Sequence, residues 1–129
     1  MTRLHMGWLL LFLILVGCGP ETIFVRPFLD TPEQHVRNGE ILLRQYKWED
    51  AVREFQRAVE LDPDYTVAYV GLGVAYAQHD EWERGLQMLS KADTLAQNQE
   101  ERAAVENGWA KFRQLRQDRN LPPLERSTP

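Results

Sequence analysis

The sequence predicts an all-α fold, two helix-turn-helix repeats closed by a fifth helix, and three observations carry that prediction. Residue types recur at a spacing of 34: Gly39 is matched by Gly73, Trp48 by Trp82, Ala58 by Ala92 and Leu61 by Leu95. Val52 and Phe55 meet Leu86 and Leu89 at the same offset. Within a repeat the apolar residues keep the helical period, since from Trp48 the positions Ala51, Val52, Phe55, Ala58 and Val59 share one face. Arg53, Glu54, Gln56 and Arg57 point away from it. Residues that start helices return at nearly the same interval, at Asp30 or Thr31, at Asp64 and at Asn98. A unit of this length buries its apolar face by stacking on its neighbour.

Ahead of the repeats, Arg3 precedes an apolar stretch from Trp8 to Val16 that Gly17, Cys18, Gly19 and Pro20 end. A spanning helix needs roughly 20 consecutive apolar residues, so this stretch reads as a secretion signal. The order Leu15, Val16, Gly17, Cys18 resembles the lipobox of bacterial lipoproteins, where a peptidase cuts before a cysteine that is then acylated. The resemblance implies a signal peptide over 1–17 and a mature N-terminus at Cys18 bearing a diacylglyceryl thioether and an acylated amine. Cys18 is then the lipidation site, and its covalent lipid is the only non-protein group expected, with no other cofactor. Each buried methylene contributes about 0.8 kcal/mol, so two or more acyl chains hold a protein on a bilayer. Gly19 in place of Asp implies, in a cell with two membranes, export to the outer membrane facing the periplasm.

Residues 18–30 follow as a lipidated N-terminus and an apolar leader containing Ile23, Phe24, Val25, Phe28 and Leu29. The chain has 129 residues, 15 basic and 19 acidic. Losing Arg3 with the signal leaves a more acidic protein, which argues against nucleic acid and against a general attraction to anionic lipid. With its one cysteine acylated, no thiol remains for a disulfide, and stability must come from packing.

Residues 31–97 resemble the tetratricopeptide (TPR) repeat, written Trp-x2-Leu-Gly-x2-Tyr, then Ala-x3-Phe, then Pro. The second repeat has Tyr69, Leu72, Gly73 and Tyr76 in its first half, and the first repeat has Ala51, Phe55, Ala58 and Pro63 in its second half. The other halves depart: His35, Asn38 and Leu42 replace an aromatic, a leucine and a tyrosine, and Gly85, Leu89 and Gln97 depart in the second. The resemblance implies a right-handed α-solenoid fragment. Small residues at Gly39, Gly73, Ala58 and Ala92 let paired helices approach closely, which offsets a glycine cost of about 1 kcal/mol in a helix interior.

The pattern predicts helices over 32–45, 48–61, 66–78, 82–96 and 99–118. Asn98 with Glu101, Asp80 with Glu83, and Thr31 with Gln34 match or approximate the capping-box spacing, and Pro32 suits a first helical position. The fifth helix, within a capping unit over 98–119, lacks the repeat signature but carries Val105, Gly108, Trp109, Phe112 and Leu115 on one face. Pro122 and Pro123 end it, and 120–129 reads as a disordered tail.

No enzyme is expected and no metal site. The mature chain has serines only at Ser90 and Ser127 and histidines only at His35 and His79, none in a recognisable nucleophile or zinc arrangement. Trp48 and Trp82 occupy the same site in successive repeats and begin the packing stripe, so both read as core. His79 reads as a polar turn residue.

Resemblance to TPR proteins implies a protein or peptide partner held along the first helix of each repeat. The family's outward positions correspond to Glu33, Val36, Glu40 and Leu43 in the first repeat, and to Val67, Val70, Val74 and Ala77 in the second. The lysine and asparagine pattern that grips a terminal carboxylate in some relatives is missing. The helix from Thr66 to Gln78 is apolar nearly all round, which is the pattern of a helix covered on both sides. Three covers are expected for the valines: the chain's own leader, a partner's segment, or the third predicted helix of the chain. The implied function is a membrane-tethered adaptor of the cell envelope, serving envelope, pilus or secretion assembly. The alternative is a binder of a small envelope glycan or lipid through an apolar groove. The open repeat end also offers a surface for self-association.

Overall fold

The first helix opens on Thr31, whose hydroxyl accepts the Gln34 backbone N–H at 3.2 Å, with Pro32 at the position where a missing N–H costs nothing. In the computed structural model, which describes residues 30–124, α1 spans Pro32–Arg44 and α2 Trp48–Leu61. Helix α3 spans Thr66–Gln78, α4 Trp82–Leu95 and α5 Gln99–Asp118, and the described residues contain no strand. The signal peptide, Cys18, the leader through Leu29 and residues 125–129 lie outside the described residues.

Helix α5 starts on the expected capping box. Asn98 accepts the Glu101 N–H at 2.9 Å, and the Glu101 carboxylate accepts the N–H groups of Gln97 and Asn98 at 2.7 and 3.4 Å. Those backbone donors hold the Glu101 carboxyl below its ordinary pKa. The other two acidic starts differ from expectation. Asp64 donates its N–H to Asp62 Oδ1 at 3.0 Å within the turn, and α3 begins behind Tyr65 with no side-chain cap. Asp80 ends α3 instead of starting α4: at φ 64° its N–H reaches Ala77 O, and the Glu81 N–H reaches Tyr76 O. This is the left-handed closure of a helix C-terminus. Helices α1 and α5 close the same way at Tyr46, φ 60°, and Asn120, φ 53°. Aspartate and asparagine tolerate that conformation through their short polar groups, whereas a tyrosine there costs about 1–2 kcal/mol.

Helix α1 pairs with α2, α3 pairs with α4, and α3 seats against the first hairpin mainly through α2. Phe55 pins this joint. Its ring is fully buried, and a Cβ added at Gly39 on α1 or at Gly71 on α3 would stand 2.7 Å from Phe55 Cζ. Both helices therefore close on one ring because both lack a side chain where they meet it. Ala51, Ala58, Ala68 and Ala75, all without exposed surface, complete the close approach.

Gly85 stands where the repeat pattern has alanine. A Cβ there would lie 2.8 Å from Gly73 O and 2.8 Å from Phe112 Cε2, so the departure makes room for an aromatic ring from α5. Helix α5 does not copy the seat of α3. Its main contact is with α3 and its lesser one with α4, the reverse of the way α3 sits on the first hairpin. Gly108 meets Val70 Cγ1 and Leu89 Cδ2, at 2.7 and 2.9 Å from its would-be Cβ, much as Gly71 meets Phe55. It does so one helical turn later than the 34-residue period would place it.

The expected tail begins too early. Leu121 N–H bonds Arg116 O, the Arg116 guanidinium donates to Pro122 O at 2.7 Å, and Leu124 packs against the cluster of Leu89 and Phe112. The backbone through Leu124 is thus laid onto the helices.

Candidate interaction surface

The α3 row and its α1 counterpart divide into covered and open positions. Val36, 6% exposed, packs in the cluster around Phe55, and Ala77, 0% exposed, packs with Leu89 and Phe112. These two are core residues, which corrects their assignment to a binding face. Val70 is half-buried with Gly108 of α5 against it, so the chain's own fifth helix covers this part of the row. For Val70 and Ala77 the physical reason is the packing of α5 over α3, since carrying positions forward by repeat number presumes a third helix seated like the second; for Val36 it is the closure of the helices around Phe55. Glu33 and Glu40 are exposed, and Leu43, Val67 and Val74 are half-buried. What is left of the row is Leu43 on α1, Val67 and Val74 on α3, and the carboxylates of Glu33 and Glu40 on α1.

The two repeat tryptophans have different surroundings. Trp82 meets Phe112 edge-on at 5.7 Å, lies 5.6 Å from the Arg116 guanidinium and belongs to the packing around Leu89. Trp48 stacks at a tilt on His79, 5.8 Å away, and meets the Tyr46 ring edge-on at 6.4 Å. Both tryptophans are half-buried, so the expectation that both are plain core holds only in part; α5 gives Trp82 a cover in Phe112 that Trp48 lacks. His79, expected as a polar turn residue, does sit in the α3–α4 turn, with Nδ1 3.0 Å from Glu81 Oε1.

His35 occupies the site where the repeat pattern has an aromatic, and it bridges two carboxylates. Nδ1 lies 2.8 Å from Glu54 Oε2 and Nε2 lies 2.8 Å from Asp30 Oδ1. Both nitrogens must donate to satisfy both acceptors, which is the imidazolium form. Burial alone would lower the pKa of this ring, but the hydrogen bonds to Asp30 and Glu54 outweigh it and the net shift is upward. Asn38 also donates to Glu54, at 3.1 Å, and Arg57 donates to Asp30 Oδ2 at 2.7 Å. The Arg57 and His35 bonds hold the Asp30 carboxyl down to about 2. The cluster ties the residue that precedes α1 to the flank of α2.

Among the described residues no group of three or more histidine, cysteine, aspartate or glutamate side chains is placed to hold a metal ion. None of their helices is long and apolar enough to cross a membrane. The sequence model of the TPR repeat family matches residues 39–80. That segment runs from the middle of α1 to the turn after α3, and contains both halves in which the repeat pattern is well kept. No curated protein and no solved structure matches the chain significantly. The match and the helical pairing described above agree with an all-α fold of the TPR solenoid kind over that segment.

Proposed function

We propose that the protein is a lipid-anchored TPR adaptor of the cell envelope, tethered through acylated Cys18 and taking a protein partner on the open strip of α1 and α3. The observation that carries this reading is the strip itself: Leu43, Val67 and Val74 are half-buried on a TPR scaffold, and exposed Glu33 and Glu40 stand beside them. The partner's complementary chemistry is an amphipathic segment with apolar side chains for the valines and basic ones for the two glutamates. In a cell with two membranes the site of action is the periplasmic face of the outer membrane, where a small adaptor serves assembly of an envelope, pilus or secretion component. Its role is binding, without catalysis.

The order Leu15, Val16, Gly17, Cys18 supports the anchor, and substitution of the cysteine tests it. Cys18→Ser moves the protein from the membrane to the soluble fraction and abolishes incorporation of labelled palmitate. A Cys18→Ser protein that still partitions fully with membranes would overturn the anchor.

A further inference from the structure

Tyr46 stands apart from the other residues that close helices in this chain. Asp80 and Asn120 take the left-handed position with side chains suited to it, and Asp80 is further tied to Arg119. Tyr46 takes it at φ 60° with three quarters of its surface in solvent, 75% exposed. Glycine would fit there without strain, and the exposed ring contributes little to packing, so folding gives no reason for tyrosine. A strained conformation held by an exposed aromatic is an observation from which function can be argued.

The surroundings supply the chemistry. The Tyr46 ring meets Trp48 at 79°, and the two rings form the corner of a groove of about 350 Å³. Lys47, Glu49, Asp50 and His79 complete its lining. Trp48, Glu49 and His79 also line a second groove, together with Glu81 and Arg84. The walls therefore carry both donors and acceptors. Asp50 is paired with Arg53, which leaves Lys47 and Glu49 to balance each other at the wall, so neither a cation nor an anion is favoured. A neutral ligand with hydroxyls to donate and accept, and with an apolar C–H face to lay on a ring, satisfies every group present.

We infer that the Tyr46–Trp48–His79 corner, between the α1–α2 and α3–α4 turns, is a binding site for a neutral saccharide, with a pyranose ring stacked on the aromatic corner. Glu49 accepts from the sugar hydroxyls, Asp50 does so through the oxygen that Arg53 leaves free, and Lys47 donates to them. The site lies at the turns, not on the apolar strip of α1 and α3, and it stands whether or not that strip takes a protein.

The full chain in a sugar-free zwitterionic detergent, with its tryptophan indoles labelled for NMR, is titrated with maltotriose, mannotriose and the trimer of N-acetylglucosamine. Tetramethylammonium chloride serves as the cationic probe. At least one trisaccharide is expected to move the Trp48 indole resonance saturably, leaving Trp82 and Trp109 in place. The Tyr46→Gly variant melts higher, by about 2–8 °C, because the strain relieved at position 46 exceeds the extra entropy glycine loses on folding, yet binds that sugar at least about tenfold more weakly. A site retained at a cost in stability shows both effects together. The proposal is overturned if none of the three sugars moves the Trp48 resonance at 10 mM, an order-of-magnitude ceiling for single-ring recognition. It is equally overturned if tetramethylammonium moves that resonance and the sugars do not, or if Tyr46→Gly binds as the parent does.

Discussion

Replacing Gly71 with alanine places a methyl group 2.7 Å from Cζ of Phe55 and nearer still to its Cε1, in a ring that already fills the Cβ space at Gly39. Overpacking of this kind costs about 1–3 kcal/mol, and the fully buried ring favours the upper half of that range. Alanine regains about 1 kcal/mol of helix propensity over glycine. The expected net loss for Gly71→Ala is about 1–2 kcal/mol, or roughly 4–16 °C in melting temperature for a domain of this size. Phe55→Leu alone costs on the order of 1–2 kcal/mol through the space it leaves. Combined, the two changes complement each other, since leucine vacates the volume the methyl group enters. The double variant should therefore be more stable than the sum of the single effects by about 1–2 kcal/mol. Urea unfolding of the four proteins measures this directly. Additivity within about 0.5 kcal/mol would refute the claim that α1 and α3 close on a single ring.

His35 gives a pH signature. Its folded pKa is raised above the ordinary 6.5, so the stability it contributes is fully present below pH 6.5 and is lost as pH rises through the folded value. Urea midpoints measured from pH 5.5 to 8.5, a window set by the imidazole range, should fall on the alkaline side for the parent and flatten in His35→Gln. Asp30 acts at the other end, with its contribution present above its ordinary 3.8 and lost as pH falls toward 2. Deleting residues 19–29 while keeping Cys18 should leave the melting temperature within about 2 °C, because Val70 and Ala77 are already packed beneath α5. A larger fall accompanied by new apolar dye binding would show that the leader, and not α5 alone, covers the α3 row.

The helices were legible because each rests on local signals that agree, such as Thr31 with Pro32 and Asn98 with Glu101. Aspartate was the ambiguous letter. It caps helices, shapes turns and tolerates the left-handed closure, and only the backbone distinguishes Asp64 in a turn and Asp80 after α3 from a true cap. The 34-residue period located the repeats but could not locate α5, whose glycine contact at Gly108 falls one turn off the period. Three of the eight candidate positions therefore changed meaning: Val36 and Ala77 are core, and Val70 is covered. The aromatic corner was missed for a related reason. Trp48 and Trp82 are identical in sequence position, and only the presence of Phe112 over one of them separates a packed ring from a groove wall. Gly71 lies off the repeat matches too, and its value appears only with the Phe55 ring in place.

A photo-crosslinking residue at Val74, compared with one at exposed Gln87 on α4, tests the adaptor reading in intact cells most directly. The expected result is one discrete adduct with a second protein from position 74, none from position 87, and loss of that adduct when Cys18 is also replaced by serine. Crosslinks from position 74 that join only residues of this chain, or the same adducts from both positions, would contradict it.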